Sequence, residues 1–247
     1  MMQFNLPITR RSGVVVSVPQ LNFEETRNLQ RRLCDERIAD MRHDTLILVE
    51  HEGVVTLGRT TKEVHWESQA ELFRHKGIQI IECERGGSVT YHGPGQVVGY
   101  PILRLRQFCR GPKAYMRMLE EVLIRVLAEW GIEGTRIEKY TGVWVREPKH
   151  FNGPLSKIAA MGVKISRGVT THGFSLNVIV DLTPFQYITP CGIEGCRVTS
   201  MAEVLGSRVD LDKVREQIVQ HFAEVFGIEW IEQVTEVIHP ASGLKES

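Results

Sequence analysis

Residues 85–99 read Arg85-Gly-Gly-Ser-Val-Thr-Tyr-His-Gly-Pro-Gly-Gln-Val-Val-Gly99, five glycines and a proline between two apolar runs at 78–81 and 97–103. A turn needs one or two such residues, where φ is positive or fixed. Five predict a loop whose backbone comes close to something else, with Arg85, Ser88, Thr90, Tyr91 and His92 as its polar tips. A long hairpin connection is the plainer alternative, and glycine density alone does not decide between them. The phosphate-loop readings fail. There is no Gly-x-x-x-x-Gly-Lys-Ser/Thr, and Gly93-Pro-Gly95-Gln-Val-Val-Gly99 is one residue too long for Gly-x-Gly-x-x-Gly.

Outward from this loop the chain alternates strand and helix. Strand patterns cover 14–18, 45–50, 54–57, 142–145, 157–165 and 170–180, the last two joined through Ser166-Arg167-Gly168. The pair 45–50 and 54–57, linked by His51-Glu52-Gly53, reads as a hairpin. Amphipathic helices are expected at 23–41, capped by Asn22 with Glu25, and at 112–130, where Tyr115, Met118, Leu119, Val122, Val126 and Trp130 share a face. A further helix is expected at 211–226, stopped by Gly227, and a short one at 68–75, ended by Gly77. Short turns between neighbouring strands imply antiparallel pairs. The expected fold is therefore α/β (α+β), a mixed β-sheet packed with helices rather than a doubly wound parallel one. Residues 1–247 read as one catalytic domain, with 206–247 a C-terminal helix and tail.

Thirty basic and thirty acidic residues leave no net field toward nucleic acid or an anionic membrane, and no partner of either kind is expected. Arg104, Arg106, Arg110 and Lys113 form a local basic cluster, either a solvated face or a guide for an acidic partner. The N-terminal stretch lacks the apolar centre of a signal peptide, and no run is long enough to span a bilayer. Five cysteines without a framework spacing suit a reducing cytoplasm. Cys191 and Cys196 are not spaced as Cys-x-x-Cys, so no metal is expected.

Serine-hydrolase elbows and zincin motifs are absent. Cys34 and Cys83 read as core residues. Cys191 differs, since Pro190 and Gly192 flank it in a turn that can hold a thiol clear of the core. A nucleophilic thiolate needs a nearby cation or base. His92, His172 and Lys157 are the candidates, and spacing does not choose among them. Lys157 is unusual in opening a run, 158–163, that is small and apolar enough to be buried.

Four segments together, Arg85 to Gln96, Lys157-Ile-Ala-Ala-Met-Gly-Val163, Thr171-His-Gly-Phe-Ser-Leu-Asn177 and Pro190-Cys-Gly192, resemble the lipoyl(octanoyl) transferase family. Order and spacing agree from about residue 14 to 205. The resemblance implies the catalytic fold of the biotin/lipoate protein ligases. It also implies octanoyl transfer from octanoyl-acyl carrier protein to a lysine of lipoyl domains, in 2-oxo-acid dehydrogenase subunits and the glycine cleavage H protein. The family's acyl-thioester cysteine falls on Cys191, and the lysine that favours its thiolate on Lys157. Substrate-contacting segments fall on Arg85, Gly86, Gly87, Ser88, Val89, Thr90, Tyr91 and His92, on Ala160, Met161 and Gly162, and on Gly173, Phe174 and Ser175. Alanine is more usual where this chain has Ser175. A thioester donor makes ATP unnecessary, and no cofactor is implied. The alternatives are an ATP-dependent lipoate or octanoate ligase, an amidotransferase between lipoyl domains, and a non-enzymatic acyl- or carrier-binding module.

Overall fold

The computed structural model describes residues 11–147 and 153–235. The N-terminal stretch read for a signal peptide, up to residue 10, and the tail beyond 235 lie outside them. The chain runs β1 (Arg11–Val18), α1 (Phe23–Ile38), β2 (Asp44–Val49), β3 (Val54–Leu57), α2 (Ala70–His75), β4 (Gln79–Glu82), β5 (Thr90–His92) and β6 (Gln96–Ile102). Then follow α3 (Pro112–Glu129), β7 (Gly134–Ile137), β8 (Tyr140–Val145), β9 (Ser156–Ser166), β10 (Val169–Asn177), α4 (Met201–Leu205), α5 (Leu211–Phe226) and β11 (Ile228–Thr235).

Eight strands form one sheet in the order β11-β1-β2-β6-β10-β9-β8-β7. β1 runs parallel to both its neighbours, and the remaining pairs are antiparallel. Mixed pairing was the expectation, and it holds. Both faces are covered, which the period-two alternation of β2 shows directly. Leu46 and Leu48 enter the core built with α3 and α5, while Ile47 and Val49 enter the core under α1. Each such side chain withdrawn from water contributes roughly 1.5–3 kcal/mol. A second sheet of three strands, β4-β3-β5, packs its own core of Val55, Leu57, Phe73, Val89, Tyr91 and Phe185.

Two local expectations are corrected and one open alternative is decided. β2 and β3 are not a hairpin: β2 is flanked by β1 and β6 in the large sheet, and β3 by β4 and β5 in the small one. Both edges of β2 are occupied, so the chain crosses between sheets at His51, whose fully buried ring bonds Leu21 O at 2.8 Å and Tyr100 Oη at 2.7 Å. α1 ends at Ile38, not 41; Asp40 takes φ 57° and Met41 is exposed. The glycine loop is not a hairpin connection either, because β4 and β6 belong to different sheets and the loop contains β5. The Asn22 cap is as read, its Oδ1 accepting the Glu25 N–H at 2.9 Å.

Candidate active site

The two sheets do not pair with each other, and the seam between them is a cleft of about 450 Å³. One wall is the glycine loop, contributing Arg85, Gly86, Gly87, Ser88, Thr90 and His92. The opposite wall is Lys157, Ala160, Met161 and Gly162 of β9, with Gly173, Phe174 and Ser175 of β10. Cys191 and Gly192 close one side. Val89 and Tyr91 stand apart from the other residues of this set. Alternation along an extended chain points them the other way, into the core of the small sheet, where they are 0% and 6% exposed.

Cys191 sits in a single 3-10 turn, Pro190–Gly192, with φ 59° and ψ 13°. That left-handed conformation is uncommon for a residue with a side chain. Here it is fixed by backbone bonds: Cys191 N–H donates to Val89 O at 2.9 Å and Gly192 N–H to Thr189 O at 2.9 Å. The thiol meets the ammonium of Lys157, Nζ to Sγ 3.0 Å. His92 and His172 also line the cleft, but burial holds their imidazoles neutral, pushing His92 down to about 3 and His172 to about 4. Burial, with the charge of Cys191 adding to it, pushes the Cys196 thiol up to about 11. Cys191 is thus the thiol that faces a cation inside the cleft.

The lysine is held by its backbone. Lys157 N–H donates to Arg197 O at 2.8 Å, and Thr199 N–H to Lys157 O at 3.0 Å. Thr199 O in turn accepts Asn177 Nδ2 at 2.9 Å, and Asn177 Oδ1 accepts Gln96 Nε2 at 2.8 Å. Gln96 Oε1 accepts from His92 Nδ1 at 2.7 Å. One buried chain of hydrogen bonds therefore joins the glycine loop, β10 and the segment that leaves the cysteine turn. Arg85, read as a polar tip, is instead buried and folded onto β3, where Nη2 donates to Thr56 O at 2.6 Å and Nε to Thr56 Oγ1 at 3.2 Å. It pins the loop and leaves a cation beside the cleft; burial draws it below its ordinary value, but a guanidinium remains charged.

Sequence reading passed over several contributors. Phe23, Val98 and Tyr100 give the cleft an apolar and aromatic interior, and Met116, Lys139, Tyr140 and Ile193 also line it. His65 bonds Ser88 Oγ at 2.8 Å. Trp144 lies under Lys157, its ring centroid 5.1 Å from Nζ. None of these stands in a motif; only the pairing of strands brings them here. Of the basic cluster, the Arg104 guanidinium is spent on Asp40 Oδ1 and the Arg37 carbonyl rather than presented to a partner.

The family profile for the lipoyl protein ligase A/B catalytic domain matches residues 22–223. An octanoyltransferase of Koribacter versatilis is 43% identical over 230 residues, 91% of this chain and 89% of its own. One from Rubrobacter xylanophilus is 46% identical over 207 residues, 83% of this chain and 89% of its own. Among solved structures, the bipartite lipoate protein ligase of Thermoplasma acidophilum superposes with a TM-score of 0.67 at 17% identity, over 92% of this chain and 89% of that one. Biotin protein ligase from Aquifex aeolicus in complex with biotin and ATP gives 0.54 at 14%, over 86% and 70%. At such identities these two structures speak for the fold. The profile and the relatives above 40% identity establish that the chain belongs to the lipoyl protein ligase A/B catalytic-domain family, among its octanoyltransferases.

Proposed function

We propose that this acyltransferase moves an octanoyl group from octanoyl-acyl carrier protein to a lysine of lipoyl domains through a thioester on Cys191. The acceptors are the lipoyl domains of 2-oxo-acid dehydrogenase subunits and the glycine cleavage H protein, and the setting is the cytoplasm. The observation that carries the reading is the 3.0 Å contact between Lys157 Nζ and Cys191 Sγ in an apolar-walled cleft. In the first half-reaction the Cys191 thiolate attacks the donor's thioester carbonyl. The carrier's sulfur departs and takes a proton from the Lys157 ammonium. One thioester replaces another, so little free energy is spent. In the second half-reaction the neutral Lys157 amine accepts a proton from the incoming lysine, which attacks the acyl-enzyme. Amide formation releases Cys191 as thiolate and regenerates the ammonium.

The tetrahedral oxyanion needs N–H donors, each worth on the order of 3 kcal/mol. Cys191 and Gly192 already donate to Val89 and Thr189, so the donors fall to the glycine loop, at Gly87 and Ser88 in the cleft wall. The acyl tail is assigned to the apolar lining of the cleft, Val98, Tyr100, Met161 and Phe174, since at Gly86 and Gly162 the loop and β9 are in direct backbone contact, Gly86 N–H donating to Val163 O at 3.0 Å.

Intact mass under denaturing conditions tests the reading, after mixing with octanoyl-acyl carrier protein in the absence of ATP. The expected result is a hydroxylamine-labile octanoyl adduct on the wild type, missing from Cys191→Ser and slow to form on Lys157→Ala. No adduct on the wild type, with transfer only when ATP and free octanoate are supplied, would make the chain a ligase.

A further inference from the structure

Lys157 presents a physical problem that its role as a cation does not solve. It is 4% exposed, and no carboxylate pairs with it among the described residues. Glu147, just past the end of β8, is engaged with Ser156 and lies 3.8 Å from Arg197. Burying an ammonium without a carboxylate partner costs free energy that another contact has to offset. What faces it is an aromatic ring. Trp144 is 3% exposed, its Nε1–H donates to Tyr140 O at 3.3 Å, and its ring centroid is 5.1 Å from Lys157 Nζ.

This contact is built by an irregularity. Val143 pairs with Ala159, so a regular antiparallel register would set Trp144 opposite Ile158. The register shifts by one, and Trp144 instead pairs with Lys157. Cross-strand partners lie on the same face of a sheet, so the bulge brings the indole and the ammonium together while Ile158 goes to the core. Gly142 completes the slot. It has φ 128°, and a Cβ there would stand 2.6 Å from Lys157 Cε, so only glycine lets the lysine stem pass.

We propose that Trp144 is a positioning residue for Lys157, its π-face holding the ammonium in the charged form and aimed at Cys191. The inference rests on the thiol–lysine reading above. A ring face has an advantage over a carboxylate at this point. It stabilises a cation without neutralising it, so the positive charge stays available to the thiolate. It is also weak enough that Lys157 can release its proton when the acceptor amine arrives. The other titratable groups around the pair are Cys196 in the same loop, Arg85 and His92 of the glycine loop, His65 beside Gly192, and Lys139 and Tyr140 on the rim. Glu120 of α3 is the carboxylate among them: its Oε1 accepts the Gly142 N–H at 3.1 Å, and its Oε2 is paired with Arg117 and Arg136 rather than with Lys157.

The test is peptide-resolved alkylation of Cys191 by iodoacetamide as a function of pH, which needs no acyl donor. Trp144→Leu is expected to slow the reaction about three- to tenfold near about pH 7, the scale of a buried cation–π contact. The loss should shrink as pH rises past about 8.5, the range in which an ordinary thiol is ionised. Trp144→Phe should recover most of the rate. Site-specific fluorinated tryptophans at 144 keep the shape and weaken the π-face, and should slow the reaction in step with fluorine count. They also serve if the leucine variant does not fold. Wild-type rates in the leucine and fluorinated proteins, with Lys157→Ala still slow, would overturn the inference and leave the thiol–lysine pair standing. Wild-type rates in Lys157→Ala as well would overturn both.

Discussion

The amide of Cys191 donates to the carbonyl oxygen of Val89 at 2.9 Å, which ties the cysteine turn to the glycine loop through a residue whose side chain points away from both. The Val89 side chain is locked in the core of the small sheet with Val55, Phe73 and Tyr91. That core therefore sets where the thiol stands.

Val89→Ala should cost about 2 kcal/mol through lost burial and an unfilled cavity. The acylation rate should fall as well, although the substrate never touches this side chain. Denaturant unfolding and single-turnover acylation measure the two effects. A destabilised variant that acylates at the wild-type rate would show that the small sheet does not hold the cysteine turn.

The buried histidines predict an acid-side loss of stability. His92 is pushed down to about 3, and His51 and His172 to about 4, in each case chiefly by burial. An unfolded histidine titrates near ~6.5. Between these values the unfolded chain binds protons that the folded chain refuses, so stability rises with pH. The contribution is whole above about pH 6.5 and is lost as pH falls toward the folded values. The melting temperature should drop by roughly 5 °C or more between about pH 7 and about pH 5. Glu84, held at about 2 chiefly by its hydrogen bond with Arg27, contributes only at lower pH. A flat calorimetric profile across that window would mean that the imidazoles charge inside the fold.

Gly99 pairs with Phe174 across β6 and β10, and an added Cβ would stand 2.1 Å from Phe174 Cζ. Phe174 lines the cleft, so Gly99→Ala should push the ring into the space meant for the acyl tail. A cost of about 1–3 kcal/mol from overpacking is expected, with a weakened octanoyl donor and a lesser effect on a donor of shorter chain. Equal losses for both donors would place the damage elsewhere.

Asn177 joins Gln96 to Thr199, whose N–H clasps the Lys157 carbonyl. Asn177→Leu leaves the Gln96 amide and the Thr199 carbonyl without their partner, at about 1–3 kcal/mol for each group stranded. Thermal melting reports that cost. Acylation should slow further than the stability loss accounts for, because the lysine backbone loses its brace. Asn177→Asp, which keeps the acceptor for Gln96, should fall between.

The long helices were plain in the sequence because each carries its own signal. Tyr115, Leu119, Val122 and Val126 repeat at helical spacing and are all fully buried. Gly227, at φ 61°, ends α5 where its pattern stops. The segments that line the cleft are legible through the resemblance of four motifs to a known family, because glycine density and a lysine entering an apolar run leave the alternatives open. What stayed hidden depends on pairing over distance. His51-Glu52-Gly53 looks like a turn, and nothing in those residues says that β6 has already taken the edge of β2. β7 is too short and polar to announce itself, and β5 was lost among glycines. Trp144 meets Lys157 only through a register shift, which no residue pattern encodes.

The parallel pairing of Arg11 with Ile228 has a consequence in time rather than in space. Of the described strands β1 is the first to be synthesised, yet one of its two neighbours is made roughly 200 residues later, at sequence separations that slow folding. Until then its flank is an open row of N–H and C=O groups, the kind of edge that recruits stray strands. The nascent chain carries its cleft walls, β5, β9 and β10, before it can seal its sheet. Chaperone dependence during synthesis should therefore follow the arrival of residues 228–235 and not that of Lys157 and Cys191, and a pulse-chase comparison of chains released before and after that strand reads the difference.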